Sequence, residues 1–504
     1  MKLLIEPDLE GFKKQAQSRK VISVYAKLHA EHETPLSIYA KLAYNKAGCF
    51  LMESAESEGT WSRYSFIGVN SVASLQVNDG QAHWKGRVPE GIPTEGPVLE
   101  VLKETLVHLH TEFDPNLPPF TSGLVGYFGW DTVKLWENLN GNSHDDLNIP
   151  TIYLNMVSDM IVFDNKDNTI MVIANAFNMD NTDDNVEMAY QDAHARVQIL
   201  VRELQKQSEL SYMQWEDISA EAEESWEEEQ YLKAIAVCQE AIKEGETFQI
   251  VLSRRFELKN KANPVDIYRV LRANNPSPYM YIYHCEDANE EQFSIIGSSP
   301  ETLVKVRDSK VITHPIAGSR PRGENTFEDY SNEKSLIKDQ KEISEHLMLV
   351  DLSRNDLSKV CKAGTVTVND FMHVEKYSHI MHLVTEVTGE LAANHDAVDV
   401  LQATFPAGTL SGAPKPRALK IIEELEPQSR GVYGGVVGYM DYAGNMDVAI
   451  AIRTALLRGN KAYVQAGAGI VADSKPENES LESKNKAAAP LNAVATAQNI
   501  RPVY

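Results

Sequence analysis

Cysteine is scarce in this chain of 504 residues, with four in all. Cys49, Cys238, Cys285 and Cys361 stand far apart and form no CxxC pair, which gives neither a metal cage nor a disulfide framework. Reduced core thiols in a cytoplasmic protein are the expectation. Long apolar runs are missing as well. No stretch reaches the ~20 residues of a membrane-spanning helix. The opening MKLLIEPDLEGF carries Glu6, Asp8 and Glu10 where a secretion signal needs an apolar centre, so no export signal is expected. Positive charge is short: 48 Lys and Arg against 72 Asp and Glu leave a net charge of −24. That balance argues against nucleic acid or an anionic membrane as partner. An anionic substrate can be held only where local positive charge, or a bound cation, is supplied. No GxGxxG marks a dinucleotide fold, and no repeat of fixed period is found.

The composition, 43% hydrophobic and 24% charged, is that of a globular protein, and the length suggests two or three domains. After a short N-terminal extension (1–20), residues 21–165 read as a first α/β region. Thr151 to Phe163 and Thr169 to Asn175 read as a hairpin at its end, with Asp164 to Asn168 as the turn. Residues 166–225 read as a connecting segment with a helix from Ala189 to Lys206. From Glu216 to Glu229 there are eight acids and no base, a solvated linker. A second region, 226–504, opens with a helix through Tyr231, Ile235, Cys238 and Ile242, capped by Ser225 with Glu228. Strands come in adjacent runs with helices grouped between them, so the predicted class is α+β.

Two stretches carry the chemistry. Gln465 to Lys486, QAGAGIVADSKPENESLESKNK, begins with Gly467-Ala468-Gly469, where small residues let backbone N–H groups approach an anion. Ser474 and Glu477 form a capping box, and along the helix that follows Glu479 and Glu482 share a face at i,i+3. Lys338 to Arg354 reads as a second helix, with Leu336, Ile343, Leu347 and Val350 as its buried stripe. It carries Glu342 and Glu345 at the same spacing. Singly, each glutamate pair is a solvated acidic face. Two pairs beside a glycine cradle suggest carboxylate–Mg²⁺–carboxylate chemistry.

Further motifs follow in order: HPIAGSRPRG (314–323), DLSRNDL (351–357), FPAGTLSGAPK (405–415), YGGVVGY (433–439) and IRTA (452–455). Together they resemble the chorismate-utilising enzymes, within them the large subunits of anthranilate synthases, from about residue 20 to the C-terminus. The resemblance implies a large chorismate-binding domain of antiparallel sheets flanked by helices, packed on a smaller N-terminal regulatory region. It implies Mg²⁺ held by Glu345 and Glu482, with Glu342 and Glu479, against the substrate's ring carboxylate. Gly467, Ala468 and Gly469 match its backbone cradle, Arg453 and Tyr433 its side-chain clamp, and Gly318, Ser319 and Lys486 further substrate contacts. Glu301 matches the acid that helps the C4 hydroxyl leave. His382 matches a histidine of pyruvate loss, and Thr409 a threonine that hydrogen-bonds the substrate.

Two positions divide the subfamilies. Gln249 stands where water-adding members carry an activating lysine, and Ala317 where aminodeoxychorismate synthases carry a nucleophilic one. Both departures imply ammonia attack and anthranilate as product, with aminodeoxychorismate synthesis or a catalytically silent regulator as alternatives. LMES (51–54) and NPSPYM (275–280) resemble a tryptophan-binding site, which implies an effector held by Glu53, Ser54, Pro278, Tyr279 and Met280 and feedback inhibition. No glutaminase signature is present, so a separate glutamine amidotransferase subunit is the implied ammonia source.

Overall fold

The computed structural model describes residues 3–502 apart from 55–62, 140, 142, 181, 209 and 377–379. Its centre is an antiparallel sheet folded into two layers by two long strands, Tyr64–Asn78 and Ile152–Asp164. Their mutual pairing shifts register between Gly68 and Ala73. On one side of that break Ile152–Asp164 pairs with Thr169–Phe177, and on the other with Gly123–Phe128. Every residue of Ile152–Asp164 is buried, Asn155, Ser158 and Asp159 among them, because the strand is covered on both faces.

The first layer continues from Tyr64–Asn78 through Phe50–Glu53, Tyr279–Glu286, Gln292–Ser299, Thr454–Arg458 and Lys461–Ile470 to Gln249–Lys259. The second continues from Gly123–Phe128 through Val436–Asp441, Met446–Ile450, Thr302–Arg307 and Lys310–Thr313 to Ile380–Glu390. Ile316–Pro321 and Thr367–Lys376 also pair with Ile380–Glu390. Between the layers lies an aromatic core. Tyr127 and Tyr153 of one meet Phe293 of the other edge-on at 6.3 and 6.2 Å. Helices Pro35–Leu42, Val186–Leu204, Pro264–Asn274 and Pro476–Ala497 cover the outside of the first layer.

The α+β class stands, with antiparallel sheet and helices outside it. The N-terminal strands do not build a region of their own, however. Phe50–Glu53 hydrogen-bonds to Tyr279–Glu286, and Gly123–Phe128 to Val436–Asp441, so strands from residues 21–165 lie inside both layers. The segment 166–225 holds the expected strand and helix, Thr169–Phe177 and Val186–Leu204, and both pack into the first layer. Nor is its acidic end merely solvated. Glu224 and Glu228 pair with the buried Arg254 at 2.7 and 2.9 Å, and both pair with Lys484.

Both predicted capping boxes are corrected. The helix Glu228–Lys243 has no side-chain cap, and Ser225 Oγ instead accepts the Arg255 N–H at 3.1 Å. The helix Pro476–Ala497 starts on a proline, and Ser474 Oγ accepts the Val471 N–H at 3.1 Å. The helix Gln340–Ser358 is capped by Asp339 and buries His346, Leu349 and Val350, while Leu347 faces solvent and Leu336 belongs to the preceding helix Thr326–Lys338. The buried stripe lies one residue earlier than the aliphatic pattern indicates, because the His346 ring takes a core position that hydrophobic periodicity does not mark.

Candidate active site

The sequence-predicted residues converge on one cavity of about 350 Å³. Its walls are the ends of the glycine strand Lys461–Ile470, the bulged strand Ile316–Pro321, the two glutamate helices and the loop before Thr454–Arg458. Gly318, Ser319, His382, Glu301, Thr409, Tyr433, Arg453, Gly467, Gly469 and Lys486 line it, with Glu342, Glu345, Glu479 and Glu482. Ala468 does not. It is fully buried, and strand alternation turns its side chain from the face that Gly467 and Gly469 present.

At one end stands a cation without an anion. Arg453 adopts φ 51° just before its strand, and among the described residues its guanidinium has no hydrogen-bond or ion-pair partner. Burial pushes its pKa down, with the Tyr433 hydroxyl beside it. Beneath Tyr433 lies an ion pair that sequence reasoning missed. Arg430 donates to Glu426 at 2.8 and 2.7 Å, to Leu410 O and to Val251 O, and stacks 4.1 Å above Trp130. Glu426 also takes the N–H and hydroxyl of Ser253, whose Oγ accepts from Gln465. The only signal in the sequence was an acid and a base four apart; their burial was not legible. Gly469 faces Gln249, whose Nε2 would lie 2.5 Å from an added Cβ. The cradle is therefore open only because glycine lines it.

At the other end the four glutamates share the wall without converging. Glu482 pairs with Lys486 at 2.7 Å, and Glu342 with Arg320 at 3.4 Å. Among the described residues no three acidic, histidine or cysteine side chains stand close enough to enclose a metal. Burial, then the charge of neighbouring carboxylates, raises the pKa of Glu345, and burial does the same for Glu479. Lys341, which the sequence reading passed over, lines the wall between them. Gly318 holds φ 70°, and a side chain there would press within 3.0 Å of Glu342 Oε2.

The titratable groups sit between these ends. Burial raises Glu301 to about 7, against the opposing hydrogen bond from Thr409 Oγ1 at 2.8 Å. Thr409 is thus bonded to the acid. His382 lies on Ile380–Glu390 opposite Ser319, and its Nδ1 bonds Gly318 O at 2.8 Å. A carbonyl only accepts, so Nδ1 carries the proton and Nε2 is the basic nitrogen. Burial and the Arg453 charge hold its pKa down.

The residues expected from the sequence to hold an effector lie outside this cavity. Glu53 stands in register with Met280, accepts the Tyr268 hydroxyl and pairs with Arg272 at 2.8 Å. Ser54 and Pro278 are partly buried. Tyr279 points between the layers instead, its hydroxyl 2.9 Å from both Thr302 and Asp447.

The family model described as chorismate binding enzyme matches residues 47–492. The anthranilate synthase component 1 of Arthrobacter globiformis is 55% identical over 99% of this chain and 95% of its own length. That of Mycolicibacterium smegmatis is 49% identical over 97% of this chain and 94% of its own length. Among solved structures, anthranilate synthase component I from Streptococcus pneumoniae TIGR4 superposes with a TM-score of 0.76 at 33% identity, covering 92% of this chain and 98% of its own. A menaquinone-specific isochorismate synthase from Escherichia coli shares the fold, with a TM-score of 0.69 at 18% identity, covering 96% of this chain and 98% of its own.

Proposed function

Because this chain belongs to the chorismate-binding enzyme family, we propose that it is an anthranilate synthase large subunit, a lyase converting chorismate and ammonia to anthranilate and pyruvate. The observation that carries the reading is the Arg453 guanidinium, without a partner among the described residues, at one end of the cavity, with carboxylates at the other. A dianionic substrate suits both ends. Arg453 and Tyr433, with the Gly467 and Gly469 backbone, take the enolpyruvyl carboxylate. The ring carboxylate faces the glutamates and requires a cation between them. Glu345 and Glu482, with Glu342 and Glu479, would hold Mg²⁺ there, and their mutual repulsion fits that donor set. The cation supplies charge neutralisation and orientation of that carboxylate.

Glu301 is the general acid. With its pKa at about 7 it keeps a proton near neutrality and gives it to the C4 oxygen, which leaves as water as ammonia adds at C2, and the new ammonium group releases its extra proton to solvent. Neutral His382 then takes the C2 proton at Nε2 as the enolpyruvyl group leaves as pyruvate and the ring becomes aromatic. Gln249 and Ala317 both face the cavity, and neither can act as base or nucleophile. This favours ammonia over water and non-covalent amination. The ammonia comes from glutamine through a partner amidotransferase subunit. L-Tryptophan binds where Phe50–Glu53 meets Tyr279–Glu286, at Glu53, Ser54, Pro278 and Met280 with the Tyr279 backbone, and inhibits.

The test mixes the chain with chorismate, an ammonium salt at alkaline pH and Mg²⁺, and follows anthranilate fluorescence. Product formation abolished by EDTA and suppressed by tryptophan is the expected result. Chorismate consumed without a fluorescent product overturns the anthranilate assignment in favour of aminodeoxychorismate or isochorismate.

A further inference from the structure

Behind Glu301, away from the substrate cavity, lies a second chamber of about 50 Å³. The two spaces share Glu301, Leu349 and Thr409 as a common wall. The chamber's far side is polar. Asp356 and Thr313 line it, 6% and 5% exposed. Asp356 accepts from the buried Lys415 ammonium at 2.6 Å, and Lys415 also donates to Thr404 O at 2.8 Å. The other Asp356 oxygen takes Lys359 at 3.0 Å, a lysine whose side chain is 60% exposed, so this pair reaches the surface. Thr313 Oγ1 is buried with no hydrogen-bond partner among the described residues. An orphan hydroxyl is costly unless water satisfies it. A space of this size holds about two to four waters at ~15 Å³ each.

We propose that this chamber holds the water that returns a proton to Glu301 after each turnover, with Thr313 ordering that water and the Asp356–Lys415 pair opening its outer side to solvent. The proposal rests on the reading of Glu301 as the acid. Glu301 gives its proton to the C4 oxygen, the C4–O bond breaks and water leaves. The Glu301 carboxylate then takes a proton from chamber water, and bulk water restores that proton by way of Asp356. No other reactant is needed. Return through the substrate cavity is blocked while substrate or product fills it, whereas the rear chamber stays wet. The charged groups facing this path are Lys486 from the substrate side and Asp356 and His314 from the rear, with Lys415 bonded to Asp356 and His314 itself 3.6 Å from Glu386.

The deciding variant is Thr313→Val, which removes the orphan hydroxyl and keeps its shape. A purely structural threonine predicts unchanged turnover and an equal or higher Tm. The proton route predicts the same Tm behaviour, a roughly tenfold lower kcat, an unchanged KM for chorismate and a larger solvent deuterium isotope effect on kcat. Imidazole buffer restores part of the loss by carrying protons. Asp356→Asn gives the same pattern, and if it fails to fold Thr313→Val decides alone. Wild-type kcat and isotope effect in Thr313→Val overturn the route. Glu301→Gln separates the two readings: full turnover there overturns the acid assignment and the route with it. An inactive Glu301→Gln beside a wild-type Thr313→Val overturns the route only.

Discussion

Glu301 shows how one residue's burial sets both chemistry and stability. A carboxyl raised to about 7 in the fold binds a proton that the unfolded chain has released by pH 5 to 6. The group therefore costs nothing below its unfolded pKa. It destabilises increasingly as pH rises toward 7, and the full penalty remains above it. Glu301→Gln should stabilise the fold at pH 8 by on the order of 1 to 3 kcal/mol, seen as a higher Tm, and leave it unchanged at pH 4. The same substitution should lower kcat about 10²- to 10⁴-fold in the ammonia-dependent assay. In the wild type, kcat/KM corrected for free ammonia should fall as pH rises through about 7, where the acid form is lost. At the cavity's other end, Arg453→Lys keeps the charge and loses the planar fork. The expected outcome is a chorismate KM raised about 10- to 100-fold with Tm little changed, measured by steady-state kinetics and a thermal melt.

Among the elements, the glycine strand and the second glutamate helix place the site. Gly469→Ala puts a methyl group into the cradle against the flexible end of Gln249, which can move aside. Substrate binding should weaken while stability changes by less than ~1 kcal/mol, as KM and melting curves will show. The helix Pro476–Ala497 is fastened from below by Arg254, which donates to Ser480 O at 2.9 Å and Ser483 Oγ at 3.0 Å and stacks on Tyr231 at 4.3 Å. Arg254→Ala leaves Glu224 and Glu228 without their buried partner and frees the helix that carries Glu479 and Glu482. A loss of about 3 to 5 kcal/mol in denaturant unfolding, with weaker Mg²⁺ activation, is expected. These anchors explain what was hard to read. A glutamate pair at i,i+3 is visible in the sequence, but the arginine that fixes its helix lies more than 200 residues away.

For the molecule as a whole, the two long strands make the halves inseparable. Phe50–Glu53 and Gly123–Phe128 complete layers whose other strands come from beyond residue 226. A fragment of residues 226–504 would expose Tyr281, Phe293 and Ile295, all nearly inaccessible in the full chain. It should not fold cooperatively, and circular dichroism melts will show no sharp transition, whereas the full chain should unfold as one unit.

The sequence by itself determined the candidates for the site. The glycine run and the two glutamate pairs are local patterns whose spacing survives without coordinates, the clamp, Glu301 and His382 follow from the family resemblance, and most of these residues share one cavity. It also determined the class, because strand periodicity and helix stripes are local properties. Only the tertiary structure decided which layer each strand joins, since pairing partners are set by burial across long sequence separations. It alone revealed that Ala468 turns away and that Tyr279 enters the core between the layers. It also placed Arg430, Arg254 and the chamber behind Glu301. Each of these depends on desolvation, which is a property of the surroundings that packing creates and not of the residue itself.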